Sequence, residues 1–289
     1  MGGEFAQIFD IRLNSTSASK VLAFVRDSLA RKAKFSLLTP NPEIVSAALT
    51  DRKLLAALNN ASLRVPDGVG LSQAARFLSL WAPKNKFLRL LFCLIQGLGV
   101  GLATFFARDW LQESLPIIKG RLLFLELVKL ANKKGLKIFL LGGQKDEARK
   151  AGEKIRRSFK RVRIAFASGP RLERDGRPVS AIDKDIEKYV VAQINEFNPD
   201  ILFVGFGAPK QEKWLMKWLP ALDVGGGMTV GGAFRYLAGD AKLPPKWMEE
   251  LGFEWLWRAL SEPWRIKRVA TAFPIFPLKV FISKLSIRC

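Results

Sequence analysis

A chain of 289 residues with 49% hydrophobic content can bury a sizeable core, which excludes wholesale disorder and leaves room for one large α/β domain with an appendage. It has no histidine, which excludes Ser-His-Asp and Cys-His machinery and the usual zinc sites; Cys93 and Cys289 offer neither a disulfide framework nor zinc spacing and fit a reduced, cytoplasmic setting. The formal charge of +21, from 47 Lys+Arg against 26 Asp+Glu, favours a phosphate-bearing partner: nucleic acid, an anionic membrane or a nucleotide substrate.

In chain order, MGGEFAQIFDIRLN lacks the apolar region of a secretory signal and reads as a strand, so export is not expected. STSAS then caps a helix over KVLAFVRDSLARKA, and FSLLTPN is a short buried strand that breaks at Pro40. Pro42 opens the first of two short helices, EIVSAALT and RKLLAALNN, before the strand SLRV. A helix follows over residues 69–80, and another over 121–134. The strand LKIFLLGG, a helix over 145–158, the strand VRIAFAS, a helix over 181–197, the strand DILFVGFG, a helix over 209–219 and the Gly-rich strand DVGGGMTVGGAF continue the alternation. Strands that are apolar throughout and take turns with helices predict an α/β fold, a Rossmann-like parallel sheet sandwiched by helices. Residues 1–245 form the predicted core and 246–289 a helical, membrane-associating appendage.

Two segments break the rhythm. LLFCLIQGLGVGLATFFA, residues 90–107 within an insertion over 81–118, is uncharged and flanked by Lys84, Lys86, Arg89 and Arg108. A span needs roughly 20 apolar residues, and Gln96, Thr104 and three glycines weaken one here, so a buried or membrane-dipping helix is favoured over a true span, with a core helix as the plain alternative. Near the C-terminus, Trp247, Phe253, Trp255, Leu256, Trp257 and Leu260 precede a basic, apolar tail, which suits both packing on the core and an interfacial helix on anionic lipid. Residues 68–108 and 263–289 contain no acid; both stretches are basic and greasy, pointing to a membrane surface before nucleic acid.

In an open parallel sheet, ligands bind beyond the carboxyl ends of the strands. The turns there read TPNPE, PDGVG, LLGGQ and GFGAPKQE. Asp67 in PDGVG is either a general base for a hydroxyl or the N-cap of the next helix. Gly143 in LLGGQ ends a strand and opens a helix, whose free amides can receive a diphosphate; the full G-x-G-x-x-G is missing, so dinucleotide binding is not expected. Asp183-x-Asp185 has a metal-holding spacing, but Ser180 and Asp183 fit a capping box better, and no metal is expected. A leaving diphosphate then requires arginines and amides. Arg258, Arg265 and Arg268 share a helical face if that helix continues past Pro263, a residue that can instead break and re-aim it.

The segments TPNPEIV, LRVPDGVGLSQAARFL, KIFLLGG, NPDILFVGFGAPKQEKW, VGGAFRYLAGDAKLPPKWM and GFEWLWRALSEPWRIKR, in this order, resemble the WecG/TagA/CpsF family of bacterial glycosyltransferases over nearly the whole chain. The resemblance implies inverting, metal-independent transfer of an N-acetylmannosamine-type sugar, or its uronic acid, from a UDP donor to a polyprenyl-diphosphate-linked sugar in cell-surface polysaccharide synthesis. It also implies a peripheral enzyme on the cytoplasmic face of the cell membrane, with an anionic membrane surface as partner, no cofactor, no nucleic acid and room for a homo-oligomer. Asp67 becomes the general base, Thr39 and Asn41 line the sugar pocket, Gln211 lies beside the nucleotide, and Arg258, Arg265 and Arg268 close over the diphosphate. The chain departs from the family at Arg235, where an Asp near the nucleoside is usual, and at Leu243, where LPP replaces RAP. Ile117 and Leu122 in PIIKGRLLF replace the Arg and Asp of R-x-x-G-x-D, with Lys119 or Arg121 as candidate substitutes for the arginine. These departures predict a transferase with an altered donor or acceptor pocket, with a catalytically weakened paralogue as the alternative. The rival readings are a basic nucleotide- or nucleic-acid-binding Rossmann module without transferase activity, and an integral membrane scaffold anchored by residues 90–107.

Overall fold

A computed structural model describes residues 5–143, 146–250, 252–263 and 266–286, with the side chains of Glu250 and Arg258 excepted. The chain begins with β1 (Phe5–Ile8) and β2 (Ile11–Asn14), followed by α1 (Ala18–Ala30), where the Ser17 hydroxyl accepts from the Lys20 N–H. Next come β3 (Phe35–Leu38), α2 (Pro42–Ala48), α3 (Arg52–Asn60), β4 (Leu63–Arg64) and α4 (Val69–Ser79). The insertion folds as α5 (Lys86–Phe106) and α6 (Arg108–Ser114). The alternation resumes with α7 (Gly120–Lys134), β5 (Lys137–Gly142), α8 (Glu147–Ser158), β6 (Arg163–Ala167), α9 (Ala181–Phe197), β7 (Ile201–Gly205), α10 (Lys210–Trp218), β8 (Gly226–Thr229) and α11 (Ala233–Ala238). The C-terminal segment adds α12 (Lys246–Glu250), α13 (Glu254–Ser261), α14 (Ile266–Ala270) and α15 (Phe276–Ser286).

Strands β3 to β8 form one six-stranded sheet in the order β4-β3-β8-β7-β5-β6, every pairing parallel. Its side chains alternate between two apolar clusters, as the two-residue period of a strand requires. Phe139, Leu141, Leu202 and Val204 join one cluster; Ile138, Leu140, Ile201 and Phe203 join the other. Helices on both faces cover these clusters, which is the expected layered sandwich.

The Gly-rich strand is explained by its central place between β3 and β7. A Cβ on Gly226 would lie 2.3 Å from the ring of Phe35, and one on Gly227 would lie 2.5 Å from Leu215. The large side chains of neighbouring elements fill the space that β8 leaves open.

One expectation is corrected and two open alternatives are narrowed. The first strand is a hairpin: β1 and β2 pair antiparallel about Phe9, which takes φ +53°, a conformation that no turn residue in the sequence signals. The insertion is not a core helix. Cys93, Val100, Ala103 and Thr104 face inward from α5, whereas Phe87, Leu98 and Phe106 are 76%, 72% and 86% exposed. The helix carrying Arg258 ends at Ser261, and α14 begins at Ile266, so of the two alternatives at Pro263 the structure has the break. Beyond it, α15 docks on the core through buried Phe276 and Val280 and through Phe281 stacked on Phe77, with ring centroids 6.1 Å apart. The buried Lys284 Nζ donates to the Phe77 carbonyl and to Gln96 Oε1 on α5.

Replacing Gly226 by Ala overpacks the centre of the sheet, and overpacking costs roughly 1–3 kcal/mol. Urea unfolding of Gly226→Ala is expected to show an unfolding free energy lower by that amount, with a lower midpoint and an unchanged cooperative transition.

Candidate active site

The ends of β3, β4, β5, β7 and β8 open onto two cavities that share one residue, Arg268. The first, of about 1090 Å³, lies over β5, β7 and β8 and is lined by Gly143, Gly205, Gly207 and Gly231 together with Lys150, Arg171, Lys210, Arg235 and Arg268. The second, of about 550 Å³, holds Asp67, Asn41 and Glu43 at the ends of β3 and β4, and is walled by Gly101, Thr104 and Phe105 of α5 and by Val269, Phe273 and Pro277 of the C-terminal segment.

Asp67 is placed by its backbone. Its N–H donates to the Pro40 carbonyl at 2.8 Å, and the Ile118 N–H donates to the Pro66 carbonyl at 3.0 Å, so the turn after β4 is stitched to the turn after β3 and to the end of the insertion. The capping alternative fails: the N-cap of α4 is Gly68, and no side chain caps that helix. Instead, the Asp67 carboxylate lies over the start of α7, where a Cβ on Gly120 would come within 3.2 Å of both Asp67 Oδ2 and Thr39 Oγ1. The glycine thus lets two oxygens, one from each strand end, meet at a helix N-terminus. Thr39 is buried, and its hydroxyl donates to the Thr229 carbonyl at 3.3 Å. Asn41 lines the second cavity while its Oδ1 caps α2 through the Ile44 N–H at 2.9 Å.

Gln211 is 2% exposed and lies beneath the loops of the first cavity. Its Oε1 accepts from the N–H groups of Gly207 and Gly231, each at 3.1 Å, and its amide nitrogen donates to Glu212 Oε1 at 2.8 Å. It ties the turn after β7 to the turn after β8. Gly143 lines the same cavity with φ +84°, but its N–H is committed to the Gly205 carbonyl at 3.1 Å, and α8 starts only at Glu147. Gly143 itself therefore has no free amide for a diphosphate.

Of the three arginines, Arg265 and the side chain of Arg258 lie outside the described residues. Arg268 reaches the boundary between the cavities, where its Nε meets Glu43 Oε1 at 2.6 Å. Asp183 serves as the capping box predicted: its N–H donates to Ser180 Oγ at 3.1 Å, and its carboxylate accepts from the Arg171 N–H at 2.9 Å. Asp185 is exposed and pairs with Lys188 at 3.4 Å.

The departures from the family pattern acquire partners. Arg235 bridges Glu147 at 3.3 Å and Glu262 at 3.0 Å, both carboxylates buried. Lys119 pairs with Glu249 and, at 2.6 Å, with Glu254; Arg121 meets the same two acids at 2.5 and 3.1 Å. Burial alone would raise the Glu254 carboxyl, but the hydrogen bond from Lys119 and the charges of Arg121 and Lys119 outweigh it and hold it below the usual range. Neither cation is thus a spare replacement for an arginine at Ile117. Leu122 and Leu243 face solvent.

Sequence reasoning missed Glu212. It is 1% exposed, and its Oε2 has no hydrogen-bond partner among the described residues. Burial pushes its carboxyl up to about 7, opposed in part by the Gln211 hydrogen bond and by Arg268, and helped by Glu43. The only sequence signal was an acid next to a strand-end glutamine.

The family model for the glycosyl transferase WecG/TagA/CpsF family matches residues 6–86 and 84–289. Over 268 residues the chain is 28% identical to the N-acetylglucosaminyldiphosphoundecaprenol N-acetyl-beta-D-mannosaminyltransferase of Bacillus subtilis (strain 168), an overlap of 93% of this chain and 87% of that protein. The protein of the same name from Staphylococcus aureus (strain MW2) is 28% identical over 283 residues, which cover 97% of this chain and 94% of it.

The buried Glu212 has a consequence for pH. Its folded-state pKa, about 7, lies above its ordinary 4.5, so between those values the folded chain holds a proton that the unfolded chain releases. Its contribution to stability is greatest below the lower value and falls as pH rises through the upper one. Thermal melts are expected to show Glu212→Gln nearly equal to the parent at about pH 4 and more stable by roughly 2–4 kcal/mol at about pH 8.

Proposed function

This chain belongs to the WecG/TagA/CpsF family of glycosyl transferases, and from that premise we propose that it moves an N-acetylmannosamine-type sugar from a UDP donor to a polyprenyl-diphosphate-linked sugar, with inversion and without a metal ion. The relatives' names give the sugar and the type of acceptor. The observation that carries the reading is the pair of cavities meeting at Arg268, one cationic over the sheet and one holding Asp67 beneath apolar walls.

In this reading the UDP moiety occupies the first cavity, its diphosphate among Lys150, Arg171 and Lys210. The acceptor sugar enters the second. The Asp67 carboxylate takes the proton of the attacking hydroxyl as its oxygen bonds to the anomeric carbon. The bond from that carbon to the diphosphate oxygen breaks on the opposite face, and its electron pair leaves with UDP. Arg268, between the two cavities, exchanges Glu43 for the departing diphosphate, and such charge-assisted contacts supply the stabilisation that a metal would otherwise give. Thr39 and Asn41 hold sugar hydroxyls beside Asp67, and Gln211 acts on the nucleotide by fixing the loops beneath it.

The enzyme works on the cytoplasmic face of the cell membrane as a peripheral protein. Two helical stretches, residues 86–106 and 266–286, are long and apolar enough to cross a bilayer by length and composition, and both leave most of their apolar side chains uncovered. Basic residues at their ends suit anionic headgroups.

A positioned base contributes about 10²- to 10⁴-fold. Asp67→Ala is expected to lose that factor in UDP release with a short-chain acceptor while UDP affinity stays within about twofold; normal turnover removes Asp67 from the chemistry. Alkaline carbonate washing of membranes is expected to release the chain, and its retention would make it an integral protein.

A further inference from the structure

We infer that Arg108, the first residue of α6 in the insertion, is the binding group for the diphosphate of the lipid-linked acceptor. The inference rests on the reading of the second cavity as the acceptor site.

Among the cations lining that cavity, Arg268 is paired with Glu43, and Lys119 with Glu249 and Glu254. Arg108 alone has no ion pair among the described residues. Its guanidinium is anchored rather than loose: Nε donates to the Thr104 carbonyl at 2.9 Å, one turn back on α5. Its NH2 nitrogen is buried with no hydrogen-bond partner among the described residues, close beneath Gly252, where an added Cβ would come within 3.4 Å. A buried, unpaired guanidinium nitrogen is costly unless an anion completes it, and the fork of an arginine suits phosphate oxygens.

The surroundings select the anion. Asp67 lines the cavity, and two aromatic pairs, Phe105 with Phe253 and Trp255 with Phe273, ring centroids 5.8 and 5.1 Å apart, give it an apolar wall. A ligand that fits has a hydroxyl for Asp67, an anionic middle for Arg108 and a hydrocarbon end for the aromatic wall. A prenyl diphosphate carrying a sugar has that order of groups. Gly101, on α5, leaves nothing within 4 Å of its Cβ position, so the α5 side of the cavity is open to a chain. Arg108 thereby provides a cation in a cavity where Ile117 stands in place of the family's arginine.

The test compares a short-chain prenyl-diphosphate-linked sugar with the same sugar as an alkyl glycoside, using parent, Arg108→Ala and Arg108→Lys. Arg108→Ala is expected to raise KM for the diphosphate acceptor by about 10- to 100-fold, the cost of losing a charge-assisted contact. KM for the donor and for the alkyl glycoside should stay within about twofold, and Arg108→Lys should recover part of the loss. An unchanged acceptor KM, a shift in donor KM instead, or an equal loss with the glycoside overturns the inference. Thermal shift by farnesyl diphosphate against farnesol provides a readout free of turnover. Stabilisation by the diphosphate that Arg108→Lys keeps in part and Arg108→Ala loses supports the site, and equal stabilisation of all three proteins removes it. Should the parent transfer no sugar, the transferase reading fails while this binding measurement still decides the role of Arg108.

Discussion

One side-chain carbonyl constrains the whole site. Where β7 and β8 end, two adjacent loops turn away from the sheet, and each leaves an N–H pointing inward at a position without a ladder partner. Gln211 Oε1 accepts both, from Gly207 and Gly231. The amide cannot usefully flip, because Glu212 Oε1 receives its nitrogen on the other side and a flipped amide would set donors against donors. Low local dielectric strengthens these contacts and makes any loss costly. The floor of the first cavity is therefore fixed by a residue that hardly reaches its surface. The same arrangement buries a carboxylate, Glu212, near the Glu43–Arg268 pair, so the fixing of the first cavity's floor and the charge balance at the cavity boundary are linked.

The long-range ion pairs explain how a strongly basic chain closes on itself. Acids in the C-terminal segment are few, and three of them meet core cations: Glu249 and Glu254 receive Lys119 and Arg121, and Glu262 receives Arg235. Such partly buried pairs fix geometry more than they stabilise, since desolvation offsets most of the attraction. The reversal of charge at Arg235 is then less an opening for a new anion than a bridge, held between Glu147 at the start of α8 and Glu262 beyond α13. At Arg235 the chain has a tie between core and C-terminal segment.

Local signals were legible in the sequence, and distant ones were not. The helix expected over 181–197 is found as Ala181–Phe197, because Ser180 caps its start and Asn198, at φ +49°, ends it within a few residues of chain. The turn carrying Asp67 was readable for the same reason: Pro66 and Gly68 mark a strand end on their own. The β1–β2 hairpin was not, since Phe9 adopts a positive φ without glycine or asparagine to announce it. Glu212 looked like an ordinary helix acid, and its burial follows from the packing of α10 against α3 and against β3, β7 and β8. Arg108 read as a flanking charge of an apolar run, and only the fold brings Gly252 and Asp67 to the same cavity.

The insertion helix combines two opposed demands. Its 21 residues extend roughly 30 Å at 1.5 Å each, close to the thickness of a bilayer core. Yet its middle is held to protein, not left for lipid: Gln96 donates to the Trp81 carbonyl at 2.7 Å and accepts from the buried Lys284 of α15, also at 2.7 Å. A spanning helix fixed in this way would carry a buried ammonium and an amide to mid-membrane, which is unfavourable. Lying along the surface instead, α5 keeps that polar strip against α4 and α15 and turns Phe87, Leu98 and Phe106 outward, the division of faces expected of an interfacial helix. In the proposed orientation the lipid-facing helix also forms a wall of the Asp67 cavity, so an acceptor's hydrocarbon can remain in the membrane while its sugar reaches the base.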